Sequence, residues 1–270
     1  MSDIIKKITS DDIVFESKGY IEDKLAFNYI EGARTIDSAE LFSDSKRVVI
    51  CHKPDHNGVW IWTANDVYDD KNLIIEIAKT IKDFHIEKPE FFTKPEIAQI
   101  FSDIYALVSN NLDYHIRDEF SLGVYKYNGI DHKVDENSAV LLYNKKYSQN
   151  LLDFYRSLSD EFSWESGRAE KMYEQISKLN TYVLLKNSEI ISICAIAKAN
   201  DEYSFISSVA TKKNYRNCGY GSLVTSFASI ETIKKGKKLM IYANKGNEAA
   251  NKTFKKAGFI LVDEIHLIKS

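Results

Sequence analysis

The sequence predicts an α+β protein, with mixed α/β sheets flanked by helices and two related halves in tandem. Three observations lead to this. Strand-like and helix-like patterns alternate along the chain, a glycine-containing loop joins a strand to a helix late in the sequence, and the two halves repeat one order of elements. With 270 residues and 44% hydrophobic content, the chain can form one large core or two small ones.

The first half predicts a strand, helix, strand, helix, strand order after an initial helix. Apolar positions three and four apart indicate the helices, and β-rich runs bounded by turn-forming residues indicate the strands. The predicted elements are a helix at 21–30, a hairpin of strands at 47–51 and 59–62, a helix at 73–84, a strand at 90–93, a helix at 97–108 and a strand at 120–127.

The second half predicts a strand, two helices and a three-stranded antiparallel meander before the loop. Its elements are a strand at 139–143, helices at 151–162 and 169–179, strands at 181–185, 190–199 and 203–209, a helix at 222–233, a strand at 239–243, a helix from Asn247 to Gly258, and strands at 259–262 and 265–268. The continuous apolar run at 239–243 is typical of a strand covered on both faces, which indicates parallel pairing.

A polar segment at 128–138 divides the two halves, so we expect one domain at 1–137 and another at 138–270. In the first half, the segment that corresponds to the glycine-containing loop is 63–70. It has no glycine and three aspartates, Asp66, Asp69 and Asp70, which would repel a diphosphate. Only the second half is therefore expected to bind a phosphorylated ligand.

The composition of the chain limits the cellular locations and the classes of partner that we expect for the protein. No apolar run approaches the roughly 18 residues of a membrane span, and residues 1–10 lack a signal-peptide pattern, so we expect a cytoplasmic protein without a membrane partner. The three cysteines, Cys51, Cys194 and Cys218, are scattered and suit a reducing compartment. A net charge of -3 gives no broad basic surface, so nucleic acid is not an expected partner.

The segment 215–222, Tyr-Arg-Asn-Cys-Gly-Tyr-Gly-Ser, is the main functional candidate. Gly219 and Gly221 follow Arg216 by three and five positions where a strand turns into a helix, so successive backbone amides can face one anion. Diphosphate is the expected ligand, with Lys212, Lys213 and Arg216 as further contacts. The alternative is an ordinary strand-to-helix turn. The spacing matches neither a Walker loop nor a dinucleotide fingerprint.

The pattern Arg-x-x-Gly-x-Gly resembles the pyrophosphate loop of the GNAT superfamily of N-acetyltransferases. The later pattern Asn247-x-x-Ala250-x-x-x-Phe254-x-x-x-Gly258-Phe259 looks like the late helix of the same family, and the resemblance covers about 138–270. It implies acetyl-coenzyme A as cosubstrate, no metal, and a degenerate GNAT-like first half. The coenzyme-binding residues that it implies are Val209, Ala210, Thr211, Arg216, Asn217, Cys218, Gly219, Tyr220, Gly221, Ser222, Asn247, Ala250 and Phe254.

The resemblance implies transfer of an acetyl group to a primary amine by direct attack in a ternary complex, with an N–H near Val209 stabilising the oxyanion. Many family members have tyrosine at the position of Phe254, and that hydroxyl protonates the departing thiolate. Phe254 cannot donate a proton, so a non-catalytic coenzyme sensor or scaffold is the alternative. Glu202 and Tyr203 both fit the position of a general base, and we assign no catalytic residue.

The acceptor is an unidentified amine, either a small molecule or a peptide, and the sequence leaves the oligomeric state open, a homodimer included. Cys218 at a helix start suggests a reactive thiol, and Cys51 with His52 and His56 suggests a metal. In both cases the favoured interpretation is structural. Trp60 and Trp62 face one side of a strand, and core packing is favoured over a stacking surface for bases.

Overall fold

A computed structural model describes residues 4–36, 38–129 and 140–270. They form two compact units. Unit 1 comprises Met1–Val124, Tyr242–Asn247 and Val262–Ser270, and unit 2 comprises Tyr125–Ile241 and Glu248–Leu261. The predicted boundary at 137/138 lies outside the described residues, and the division there stays a prediction. In the described ranges, no helix combines the length and the apolar composition needed to cross a membrane.

The elements up to residue 127 belong to unit 1, except that the last three residues of the final strand, β7, belong to unit 2. They are β1 (Lys6–Ile8), α1 (Lys18–Asp23), α2 (Asn28–Ala33), β2 (Glu40–Ser43), β3 (Val48–His52), β4 (Gly58–Thr63), α3 (Lys71–Lys82), β5 (Glu90–Thr93), α4 (Pro95–Ser109), β6 (His115–Ile116) and β7 (Leu122–Tyr127).

The elements after residue 139 form most of unit 2, and two of their strands, β12 and β13, continue into unit 1. They are β8 (Val140–Leu142), α5 (Ser148–Phe162), α6 (Arg168–Ile176), β9 (Asn180–Lys186), β10 (Glu189–Lys198), β11 (Tyr203–Thr211), α7 (Tyr220–Lys234), β12 (Lys238–Asn244), α8 (Glu248–Lys256) and β13 (Phe259–Lys269).

The sheet of unit 1 has the strand order β1-β2-β3-β4-β5-β13, and β6 also pairs with β13. Strands β4 and β5 are parallel and the other pairs are antiparallel. The predicted hairpin is confirmed, with Val48 opposite Thr63 and His52 opposite Val59. Every residue of β3 is buried, and on one face Val48 and Ile50 belong to the core that α3 and α4 form against these central strands.

The sheet of unit 2 has the order β8-β9-β10-β11-β12. The predicted meander of β9, β10 and β11 is confirmed as antiparallel, and β11 pairs with β12 in parallel, as the apolar run of β12 predicts. Helices α5 and α6 cover the face that carries Val183, Ile193 and Ala195, and these residues form one buried cluster with Leu151 and Phe154. The mixed sheet with flanking helices confirms the predicted fold class.

The helix predicted at 21–30 is broken into α1 and α2. Ala26, Phe27 and Asn28 are consecutive and all buried, with exposed fractions of 2%, 0% and 4%. A continuous helix that packs through one face cannot bury three consecutive side chains, because successive residues point about 100° apart. The break therefore follows from tertiary packing, which overrides the local pattern.

Two further differences concern polar residues in strands and helices. The strands predicted at 259–262 and 265–268 form one continuous strand, β13. Between them, the carboxylate of Glu264 forms an ion pair with the Lys245 ammonium at 3.0 Å. The buried side of α7 consists largely of small residues such as Ala228 and Ser229, whereas the apolar Leu223 is only half-buried. Small side chains let a helix lie close to its sheet. Strands β1, β2 and β6 have no counterpart in the prediction.

Candidate functional site

The predicted phosphate loop connects β11 to α7 in unit 2. After Thr211 the chain makes one 3-10 turn at Lys213–Tyr215 and then passes through two residues in the left-handed region, Asn217 at φ 60° and Gly219 at φ 82°. Gly219 is the N-cap of α7. It has no side chain that could accept a hydrogen bond from the first helical amides, unlike the N-cap residues of many helices.

The amides at the start of α7 are available for a ligand. Leu223 is the first residue whose N–H bonds back into the loop, at 3.0 Å from the Gly219 carbonyl. Within the described chain, no hydrogen bond begins at the backbone amides of residues 217–222. Because the helix is 15 residues long, its dipole also favours an anion at this end. The segment therefore has the geometry of an anion cradle.

The second glycine of the loop is required by close packing. A Cβ at Gly221 would lie 3.3 Å from the Thr211 hydroxyl and 3.5 Å from the Thr253 methyl group. A Cβ at Gly219 would lie 3.6 Å from the Lys256 ammonium. Sequence reasoning missed Thr253 and Lys256. Helical spacing places Thr253 on the face of Ala250, but nothing in the pattern singled out Lys256.

Two of the three side chains predicted to contact phosphate form ion pairs with carboxylates. The guanidinium of Arg216 donates to both oxygens of Glu161, at 2.6 and 2.7 Å, and its Nε donates to the Thr211 carbonyl at 3.0 Å. The ammonium of Lys212 donates to Glu189 at 2.6 Å, which lowers the pKa of that carboxyl. Lys213 is exposed. Arg216 and Lys212 thus shape the loop, and their predicted contact with phosphate stays a prediction.

The strand before the loop separates from its parallel neighbour. The ladder between β11 and β12 consists of three pairs, from Tyr203 with Lys238 to Phe205 with Met240. Beyond Phe205, the described residues of the two strands form no further pairs, although both strands continue. A one-residue bulge at Ser207 disturbs the register of β11 against β10 at this point and increases its local twist.

The open edge of β11 carries the N–H groups of Val209 and Thr211, two of the coenzyme contacts that the family resemblance implies. Lys212 donates to the Ile191 carbonyl of β10, and in an antiparallel ladder alternate residues face the same neighbour. Ala210 therefore also faces β10, while the N–H groups of Val209 and Thr211 point to the opposite edge, where the ladder with β12 is missing. An extended chain with amide groups can hydrogen-bond to that edge as a further strand.

The late-helix residues lie on or beside α8. Asn247 precedes the helix and is exposed, Ala250 is half-buried, and Phe254 is buried with a 5% exposed fraction. The ring centroid of Phe254 lies 6.3 Å from those of both Tyr125 and Phe259. Phe254 is thus part of an aromatic cluster and offers no proton.

The two candidates for a general base lie at the far end of β11 from the loop. Glu202 forms a close ion pair with Lys238, and burial raises the pKa of Tyr203. Both lie where β11 and β12 remain paired, and Thr211 follows Tyr203 by eight positions along the strand, a rise of about 26 Å. The structure does not bring either side chain to the open part of the strand edge.

The cysteine and tryptophan candidates fall into different environments. Cys218 is exposed in the loop, whereas burial raises the pKa of Cys51, within β3, to about 12. The predicted core packing of both tryptophans is confirmed, with exposed fractions of 5% for Trp60 and 0% for Trp62. The edge of Trp60, whose ring stacks on Tyr29 at 4.9 Å, also lines a groove of about 870 Å³ in unit 1.

Unit 1 differs from unit 2 at the corresponding strand-to-helix connection. The Asp70 carboxylate caps α3 by accepting the Leu73 amide at 3.1 Å, and Arg47 donates to Asp70 at 2.8 Å. Strands β4 and β5 stay paired from Gly58 to Ile61. In unit 1 a carboxylate therefore bonds to an amide at the start of the helix, whereas the helix start of unit 2 has no side-chain cap.

Residues 183–267 match the family model of FR47-like protein. A search of curated proteins found no match.

Solved structures of similar fold span nearly the whole chain. A GCN5-related N-acetyltransferase from Sphaerobacter thermophilus is 11% identical with a TM-score of 0.64, covering 100% of this chain and 96% of its own. A GNAT-family acetyltransferase from Colwellia psychrerythraea is 14% identical with a TM-score of 0.61 and 98% coverage of both chains. A tandem GNAT protein from the clavulanic acid biosynthesis pathway is 9% identical with a TM-score of 0.53, covering 98% and 97%.

The two sequence motifs, the family model and the structural neighbours agree. At these identities the neighbours establish the fold and not the reaction. The predicted resemblance is confirmed: the chain has the fold of the GNAT acetyltransferases, and its residues 183–267 are similar to the FR47-like protein family.

Proposed function

We propose that the protein is an N-acetyltransferase that moves an acetyl group from acetyl-coenzyme A to a primary amine. The observation that carries the proposal is the combination, in unit 2, of an uncapped helix start with a strand edge that has lost its neighbour. The first suits a diphosphate, and the second suits the extended amide arm of pantetheine. A site for phosphate alone would need only the first.

Different residues of unit 2 bind different parts of the coenzyme. The amides of Cys218, Gly219, Tyr220, Gly221 and Ser222 bind the diphosphate, supported by the positive end of the α7 dipole. The outward N–H groups of β11 bind the pantetheine arm. The predicted contact of Asn247 with that arm, and that of Ala250 with the coenzyme, remain part of the proposal.

The reaction needs few protein groups. The amine nitrogen attacks the thioester carbonyl carbon, a C–N bond forms, and the C–S bond breaks with its electron pair leaving on sulfur. The Val209 N–H points at the open edge, where it stabilises the charge that develops on the carbonyl oxygen. The attacking amine loses its proton to water. A thiolate with an ordinary pKa near 8.5 can leave without an acid, at a cost of about 10² to 10⁴ in rate.

A second candidate function is a coenzyme-binding sensor or scaffold without chemistry. Phe254 favours it, because the ring is buried among aromatic side chains and carries no hydroxyl. The coenzyme contacts are the same in both proposals, so only turnover distinguishes them.

Unit 1 is proposed to bind no coenzyme, because Asp70 caps the helix start where a diphosphate would bind. Its proposed contribution is to the recognition of the acceptor, an amine-bearing small molecule or peptide. A cytoplasmic location and a homodimer stay predictions.

The test combines binding and turnover. Thermal unfolding is measured with and without acetyl-coenzyme A, and thiol release is then followed with a panel of aliphatic amines, aromatic amines and peptides with free amino termini. Stabilisation with amine-dependent thiol release supports the enzyme, and stabilisation without release on any acceptor supports the sensor. Absence of stabilisation at millimolar coenzyme refutes both.

A further inference from the structure

A pair of aromatic rings, one exposed and one half-buried against the core of unit 2, lies beside the phosphate loop. Phe162, the last residue of α5, is 53% exposed, and its ring stacks with that of Trp164 at a centroid distance of 6.2 Å and an angle of 19°. Ser163 between them is left-handed, at φ 50°, which ends the helix. We refer to Phe162 and Trp164 as the aromatic platform.

The platform is connected to the loop by Arg216. Its guanidinium carbon lies 5.6 Å from the Phe162 ring centroid, while its nitrogens hold Glu161, the residue before Phe162 in α5. The ion pair is bidentate and the Glu161 side chain is only 15% exposed, so it fixes the end of α5 against the loop. The platform therefore starts one side chain away from the proposed diphosphate site.

Positive charge lies at both ends of the platform. Arg216 flanks Phe162, and the guanidinium carbon of Arg168 lies 5.3 Å from the Trp164 ring centroid. In the part of the chain that the structure describes, no carboxylate pairs with Arg168. A protonated amine is disfavoured between two guanidinium groups. A flat, neutral ring that belongs to an anionic molecule is favoured, because it stacks on the rings while its phosphates meet the cations.

We propose that the aromatic platform binds the adenine ring of the coenzyme. The inference rests on the proposed function, since it extends from the diphosphate in the loop to the nucleotide end of the same molecule. Trp164 also packs against the core of unit 2, whereas about half of Phe162 is exposed, and stacking of adenine covers the part of these rings that the core leaves uncovered. The platform therefore raises the affinity for intact coenzyme A, but it does not raise the affinity for a ligand that has only the pantetheine part.

The experiment compares two ligands on three variants. Calorimetry measures the affinities of coenzyme A and of 4′-phosphopantetheine, which lacks the adenosine part, for the wild type, Phe162→Ala and Trp164→Ala. Ile233→Ala, which shortens a 41% exposed side chain near the carboxyl end of α7, is the matched control. We expect each platform variant to bind coenzyme A about tenfold more weakly or worse. Binding of 4′-phosphopantetheine and the control stay as in the wild type.

Fluorescence gives an independent readout that does not depend on folding energetics. Trp60 and Trp62 are buried, so stacking of adenine quenches mainly Trp164. We expect coenzyme A to quench the wild type and not Trp164→Phe, which keeps the stack but loses the fluorophore.

The possible outcomes distinguish a failure of the aromatic platform from a failure of the proposed function. Wild-type coenzyme affinity in both platform variants, or an equal loss for both ligands, overturns the platform and leaves the proposed function intact. Failure of the wild type to bind either ligand overturns the proposed function and the platform together.

Discussion

The most direct test of the coenzyme site compares two glycines that flank α7, share a left-handed backbone conformation and lie at opposite ends of the helix. Gly219 at the start of the helix has φ 82°, and Gly236 just beyond its end has φ 77°. A residue with a Cβ in this region costs about 1–2 kcal/mol, so Gly219→Ala and Gly236→Ala should be destabilised alike. At roughly 2–4 °C per kcal/mol, both melting temperatures should fall by about 2–8 °C.

Only Gly219→Ala should lose coenzyme affinity. Its Cβ would lie within the proposed diphosphate loop, 3.6 Å from the Lys256 ammonium and 4.0 Å from the Ser222 hydroxyl, whereas a Cβ at Gly236 meets nothing within 4 Å. Loss of one hydrogen bond to a charged phosphate costs about 1.5–3 kcal/mol, which is at least tenfold in affinity. At a coenzyme concentration of 100 times the wild-type dissociation constant, stabilisation should fall from about 2.7 to about 1.4 kcal/mol or less.

The assay is thermal unfolding over a coenzyme A titration, with calorimetry on the same variants. An unchanged coenzyme affinity in Gly219→Ala would refute the reasoning, and so would an equal loss in Gly236→Ala. The second result would mean that helix strain, and not the cradle, controls binding.

Three further predictions use other parts of the chain. If the protein is an enzyme, Phe254→Tyr should raise amine-dependent thiol release by up to about 10²-fold, and an unchanged rate would favour the sensor. Burial lowers the pKa of His52 and His266 below 6.5, so the fold holds both neutral; stability should be full above pH 6.5 and fall below it as the unfolded chain gains protons. Denaturant titrations from pH 7.5 to 5 should show a smaller fall in His52→Phe, and equal slopes would contradict this assignment. Asp70→Ala should lose about 1–2 kcal/mol of stability with its helix cap and leave coenzyme affinity unchanged, and weaker coenzyme binding would argue against a coenzyme-free unit 1.

The sequence predicted most elements because local periodicity and burial agree there. The strand at 90–93 and the parallel pairing of β11 with β12 are confirmed, and the helix predicted at 73–84 is present as α3. Prediction was wrong where packing opposed the local pattern, as in the break after α1. It also missed β2, whose residues Glu40–Ser43 are strand only because β1 and β3 pair with them.

For the candidate site, the sequence by itself determined the chemistry of the loop. Two glycines after Arg216, placed between a strand and a helix, require bare amides at a helix start, because only glycine allows that path without a side chain in the way. The missing hydroxyl at Phe254 is likewise a property of the sequence alone.

The tertiary structure decided which groups are available to a ligand. It opened the edge of β11 beyond Phe205, committed Arg216 to Glu161, and brought Lys256 and the ring of Phe162 to the loop from other helices. None of these could be predicted, because each depends on contacts between segments far apart in the chain, whereas sequence patterns report the preferences of neighbouring residues.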